Sequence, residues 1–143
     1  MNIRILFKKL HQNAVLPSQA HETDTGYDLT AVESIIVPSK GNIVVETGLQ
    51  VAFVEPGYWF QIMPRSGLGF KYGINPHLGV IDQEYTGKLG VKLYNLHSND
   101  YEIKCGDRIA QIIFYPLIKA NISWSDTIIE SKRGDKGFGS SGR

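Results

Sequence analysis

Lys88-Leu89-Gly90-Val91-Lys92-Leu93-Tyr94-Asn95 decides the fold class, because its apolar residues recur at every second position. Leu89, Val91 and Leu93 fall on one face, while Lys88, Lys92 and Asn95 interrupt the other, the pattern of a half-buried β-strand. Working outward, short segments rich in Val, Ile, Tyr and Phe recur at Ile3 to Phe7, Ser34 to Val37, Asn42 to Val54, Tyr58 to Met63 and Arg108 to Tyr115. The chain's 15 glycines and 6 prolines fall between them, so it reads as an all-β protein of short strands joined by turns. Ser66 to Tyr72 has helical character that Gly67, Gly69 and Gly73 limit to a turn or two. A chain of 143 residues is long enough for one domain with a proper core, taken as 1–143.

Charge excludes some function classes. Lys and Arg number 15 against 14 Asp and Glu, a net of +1, too little to grip a nucleic-acid backbone, so no nucleic-acid partner is expected. No apolar run approaches the ~20 residues that span a bilayer, and the start, MNIRILFKKLHQ, lacks a signal-peptide core. The expectation is a soluble intracellular protein with no membrane partner. The single cysteine, Cys105, rules out an internal disulfide and reads as a packed or strand-end thiol. His11, His21 and His97 lack the spacing of a metal site, and His77 reads as an exposed loop residue.

Three clusters carry possible chemistry. Pro64-Arg65-Ser66-Gly67-Leu68-Gly69 joins a guanidinium, a hydroxyl and two small residues after a strand, a turn that can aim N–H groups and a cation at phosphate oxygens. The same residues equally write an ordinary strand-to-helix turn, and the spacing is neither a P-loop nor a dinucleotide fingerprint. Gly79-Val80-Ile81-Asp82-Gln83-Glu84-Tyr85-Thr86-Gly87 lies between two strand-like runs and reads as a hairpin. From it a half-buried Asp82 can deprotonate a water and Tyr85 offers a flat surface, or Asp82 is simply solvated and Tyr85 packs in the core. The third cluster is the tail from Ser131, SKRGDKGFGSSGR, with four glycines and Phe138 as its only apolar residue. It has the parts of a lid over a base and phosphates, and also the composition of a disordered end.

Five short strings in a fixed order resolve these alternatives. They are Asp24-Thr25-Gly26-Tyr27-Asp28-Leu29-Thr30-Ala31, Pro64 to Gly69, Gly79 to Asn95, Gly106-Asp107-Arg108-Ile109-Ala110-Gln111-Ile112-Ile113, and Arg133 to Gly142. Together they resemble the five motifs of the trimeric dUTPase family. The resemblance implies a distorted jelly-roll or β-barrel, the dUTPase-like β-clip, assembled as a homotrimer with active sites shared between subunits. It implies Mg²⁺-dependent hydrolysis of dUTP to dUMP and pyrophosphate, which limits uracil incorporation into DNA and supplies dUMP for thymidylate synthesis.

Residue by residue, the resemblance makes Asp82 the group that activates the water attacking the α-phosphorus. Backbone groups of Gly79, Val80 and Ile81 and near Gly90 read the uracil edge, and Tyr85 packs under the deoxyribose so that a 2′-hydroxyl has no room. Arg65, Ser66, Gly67 and Gln111 hold phosphates, and Asp28 meets the Mg²⁺ through water. In the lid, residues 131–143, Arg133, Gly139, Ser140 and Ser141 match the phosphate-binding end and Phe138 stacks on the base. Glu84 stands where the family usually has Asp and is expected on the surface; no contact is assigned to the Asn75 side chain. The related dCTP deaminases share the phosphate turn but lack Ile-Asp-x-x-Tyr combined with a Gly-Phe-Gly-Ser tail. A nucleotide-sensing binding module is the alternative of another class.

Overall fold

The computed structural model describes residues 1–142; Arg143, the last residue of the tail, lies outside the described residues. In chain order the elements are β1 (Ile5–Lys9), β2 (Tyr27–Thr30), β3 (Ile35–Val37), β4 (Asn42–Val54), β5 (Tyr58–Met63), α1 (Ser66–Tyr72), β6 (Ile74–Pro76), β7 (Gly79–Ile81), β8 (Lys88–Asn95), β9 (Tyr101–Ile103) and β10 (Arg108–Pro116). The strands form three sheets of order β1-β4-β8-β6, β2-β10-β5-β7 and β3-β9, every pair antiparallel.

Alternation along β8 places Leu89, Val91 and Leu93 in the core, where they are at most 1% exposed. They meet Val45 and Val51 of β4, Leu29, Phe60, Ile62 and Ile112 of the second sheet, and Val37 and Ile103 of the third, in one apolar cluster. Phe7 meets Phe60 edge to face between the two large sheets, with centroids 6.4 Å apart. Antiparallel sheets closed on a shared core give the distorted jelly-roll that the sequence implies.

Some details correct the sequence reading. Asn95 has the parity of Leu93 and therefore faces inward, not outward with the lysines. It is 1% exposed, and its amide is fully used: Nδ2 donates to the carbonyls of Val37 (3.0 Å) and Asn99 (2.8 Å), and Oδ1 accepts from His97 N (2.9 Å). The first strand runs from Ile5 rather than Ile3 and ends in Lys8-Lys9, charges suited to a sheet edge. The run Gly79 to Gly87 does not close a hairpin: β7 pairs with β5 and β8 pairs with β4 and β6, so the turn 82–87 crosses between sheets. Two apolar runs joined by a turn do not specify which partner each run takes. Pro76 is tolerated because β6 is an edge strand.

Midway along β4 the register with β8 jumps from Glu46↔Gly90 to Gln50↔Lys88. Thr47 fills the irregularity, its buried hydroxyl donating to Leu89 O at 2.6 Å. Gly48 adopts φ +68°, and a Cβ there would sit 2.8 Å from His11 Cβ and 2.9 Å from Ala14 Cβ. Gly48→Ala therefore combines backbone strain with overpacking and is expected to lower unfolding free energy by about 2–4 kcal/mol, read from urea denaturation. A change below about 0.5 kcal/mol would show that the bulge relaxes freely.

Candidate active site

β10 is flanked on both sides, and its register fixes the first group of polar residues. Gln111 lies opposite Asp28 of β2 and opposite Met63 of β5, so the first, second and fourth sequence motifs meet on adjacent rungs. Just past Met63 the chain turns into α1, and Arg65 at the helix start is extended (φ −91°, ψ 131°). Its Nε donates to Asp28 Oδ1 at 2.9 Å and its Nη1 to Arg108 O at 3.4 Å. Arg108 Nη1 lies 3.6 Å from the other oxygen, Asp28 Oδ2, so one half-buried carboxylate sits between two guanidinium groups. Ser66 and Gly67 follow, both exposed, with first-turn N–H groups that have no intrahelical partner.

Gln111 is held from two sides. Its Nε2 donates to Pro64 O at 2.9 Å, leaving a second N–H for a ligand. Its Oε1 occupies the space of a side chain at Gly26, where a Cβ would come within 1.7 Å. A cleft of about 310 Å³ opens over Gly26, Asp28, Arg65, Ser66, Arg108 and Gln111, and a second hollow continues past Arg65 to Phe70 and Asn75. A larger cavity, about 650 Å³, lies elsewhere among Ile3, Leu16, Tyr58 and Phe114 and has no charged side chain, so the polar cleft is the candidate site. Behind Arg65, burial first, then Tyr72 and Asp107, push the Tyr101 phenol up, which keeps it a neutral hydroxyl.

The turn 82–87 is braced separately. Gly57 N donates to the Gln83 side chain, Gln50 Nε2 donates to Thr86 O (2.9 Å) and Val51 N to Gly87 O (2.9 Å). Tyr85 Oη donates to Lys88 O at 2.8 Å, with the ring lying across Gly87, where a Cβ would come 2.2 Å from that oxygen. Tyr85 is thus a fixed, exposed ring rather than a core residue. Asp82 is exposed in the single chain, not half-buried, and Glu84 is on the surface as expected. β7 runs away from the cleft, with Gly79 opposite Ile62 and Ile81 opposite Phe60. The five extended residue steps from Phe60 to Arg65 span on the order of 15 Å. No residue of 79–90 lines the cleft, so one chain keeps Asp82 and Tyr85 apart from Arg65 and Gln111.

Arg133, Phe138, Gly139, Ser140 and Ser141 reach neither group. Arg133 Nε bonds Lys136 O at 2.8 Å within the tail, and Phe138 is fully exposed. Among the described residues no group of three or more His, Cys, Asp or Glu could hold a metal ion. Mg²⁺ keeps several waters and is commonly held by one or two carboxylates plus phosphate oxygens, so a site for it does not require such a cluster. Also among them, no helix is long and apolar enough to cross a membrane.

The dUTPase family model matches residues 12–142. The chain belongs to the dUTPase family. It is 43% identical to the deoxyuridine 5′-triphosphate nucleotidohydrolase of Paramecium bursaria Chlorella virus 1, over 96% of this chain and 97% of that protein. It is 44% identical to the enzyme of the same name from Solanum lycopersicum, over 94% of this chain and 79% of that one. The structure of the Staphylococcus bacteriophage 80alpha dUTPase with dUpNHpp superposes with a TM-score of 0.84 at 29% identity, covering 98% of this chain and 99% of that one.

As a dUTPase, the chain has supporting residues that its motifs did not reveal. Gln50, on β4, braces the Asp82 turn through Thr86 O, and Gln83, inside the turn, accepts from Gly57 N; no local pattern marks either contact. Gly26 and Arg108 lie inside motifs, yet only the contacts of Gln111 and Asp28 expose what they do. Cys105 is an exposed turn residue, its thiol donating to Val32 O at 3.1 Å. His77 is exposed as expected, with Nδ1 3.1 Å from Tyr94 Oη.

Proposed function

We propose that this chain is a dUTP diphosphatase that hydrolyses dUTP to dUMP and pyrophosphate in a homotrimer with sites shared between copies. The observation that carries the reading is the convergence of the Asp28–Gln111 rung with Arg65, Ser66 and Gly67 in the turn just past Met63, which brings together donors suited to a triphosphate. Arg65, the Ser66 hydroxyl, the Gly67 N–H and the free Gln111 N–H bind phosphate oxygens. Asp82 takes a proton from the water whose oxygen attacks the α-phosphorus, and the bond to the pyrophosphate oxygen breaks.

Main-chain reading of uracil is supported by strand edges. β7 uses one edge on β5, and β8 before Leu93 uses one edge on β4. On their other edges alternate residues turn N–H and C=O outward, so the run Gly79-Val80-Ile81 and Gly90 offer main-chain groups that can match a pyrimidine edge. A rigid frame of this kind rejects cytosine by leaving groups unpaired. Tyr85, locked by Lys88 O, lies beneath the deoxyribose and excludes a 2′-hydroxyl. Asp28 would hold, through water, a Mg²⁺ carried on the triphosphate, and when bound the ion would neutralise phosphate charge.

Sharing between copies is supported by the separation of Asp82 from Arg65 within one chain and by the segment after β10. There Ile118, Ile122, Trp124, Ile128 and Ile129 are each at least 82% exposed, an apolar run suited to a partner's surface. Residues 131–143 form the lid, with Phe138 stacking on uracil and Arg133, Gly139, Ser140 and Ser141 meeting the outer phosphates.

Pyrophosphate release with Mg²⁺ is expected from dUTP and to be far slower from dCTP, dTTP and UTP; equal rates with dCTP would overturn the assignment. Asp82→Asn should lower single-turnover hydrolysis about 10²–10⁴-fold while leaving dUTP binding near normal, and a rate within tenfold of the parent removes Asp82 as base. Deleting residues from Arg133 onward should leave the melting temperature nearly unchanged and reduce kcat more than dUMP affinity. Full activity, or loss of assembly, in the truncated protein contradicts the lid.

A further inference from the structure

The triphosphate reading leaves one cation of the cleft, Arg108, without a role. The charged groups lining it are Asp24, Asp28, Arg65 and Arg108. Two carboxylates and two guanidiniums sum to zero, and without Arg108 the lining itself sums to −1 before Arg133 or Mg²⁺ is counted, an unfavourable start for a polyanion. Arg65 alone does not reverse this, because its Nε is committed to Asp28 and its Nη1 to Arg108 O.

The backbone turns Arg108 toward the cleft. Arg108 has the parity of Ala110 and Ile112, both buried, and in a regular strand it would point inward. The ladder with β2 instead pairs Arg108 with Thr30 and Ala110 with Leu29, so Ile109 is an extra residue and the strand bulges there. The bulge lets Ile109 and Ala110 both enter the core and flips the side chain before them outward. That side chain is 52% exposed, and among the described residues its one polar partner is Asp28, at 3.6 Å. A half-exposed pair at that distance contributes little to stability and leaves the remaining guanidinium donors open.

We propose that Arg108 is a further phosphate-binding residue, with Asp28 as the positioning residue that holds it beside Arg65. The proposal rests on the dUTP reading and extends it: two planar cations on one carboxylate face the β- and γ-phosphates, which dUMP lacks. Binding of dUpNHpp and of dUMP to the full-length protein, by calorimetry with Mg²⁺ present, separates the cases. Arg108→Gln should weaken dUpNHpp about 10–100-fold, the range for a lost charge-assisted contact, and dUMP less than about threefold. Arg108→Lys keeps the charge without the fork and should recover part of the loss; it also carries the comparison if the Gln variant does not fold. An unchanged dUpNHpp affinity, or equal weakening of both ligands, overturns the proposal. A parent protein that binds neither ligand overturns the dUTP reading and the role of Arg108 with it.

Discussion

The antiparallel register of β10 between β2 and β5 governs the candidate site. Because Gln111 stands opposite both Asp28 and Met63, residues far apart in the chain become neighbours through main-chain hydrogen bonds, which require no particular side chains. Arg65 then needs only the short turn after Met63 to reach the Asp28 carboxylate, and Gln111 needs only the absence of a side chain at Gly26. A one-residue slip would turn Gln111 into the core and Ile112 into the cleft. The buried row of Phe60, Ile62 and Ile112 opposes such a slip, so the apolar core and the polar cleft are fixed by one register.

The same register carries Asp82 away from the cleft. β7 continues the sheet beyond β5 but runs in the opposite sense, so each residue from Gly79 toward Asp82 increases the distance from Arg65. The braces from Gln50, Gln83 and Tyr85 hold the turn rigidly in that position, so it does not simply fold back. An exposed carboxylate, two open strand edges and an exposed apolar segment after β10 support the proposal that the chain completes its chemistry against other copies.

Much of this was legible in the sequence where a pattern is local. The alternation in β8 gave the sheet, and the turn after Met63 gave residues that line the cleft. Partner choice was not legible: the run from Gly79 to Asn95 reads as a hairpin because nothing in it says that β7 prefers Phe60–Ile62 while β8 prefers Val44–Val45. Strands β2, β6 and β9, of three or four residues, are too short for alternation to mark. Asn95 reads as an outward polar residue, since a buried amide looks the same in sequence until Val37 and Asn99 supply its partners. Arg108 escaped for the same reason, because the bulge at Ile109 that turns it outward is a property of the pairing with β2.

The central claim is that Asp82 and the Arg65 cleft serve one another only across copies. Two variants, Asp82→Asn and Arg65→Gln, each inactive alone, test it most directly when they are mixed, unfolded and refolded together. Random assembly places an intact Asp82 from one chain against an intact Arg65 from another in roughly a quarter of sites, so about that share of parental dUTP hydrolysis should return. No recovery above either variant alone, from mixed assemblies that have demonstrably formed, would contradict shared sites and require each chain to supply both groups itself.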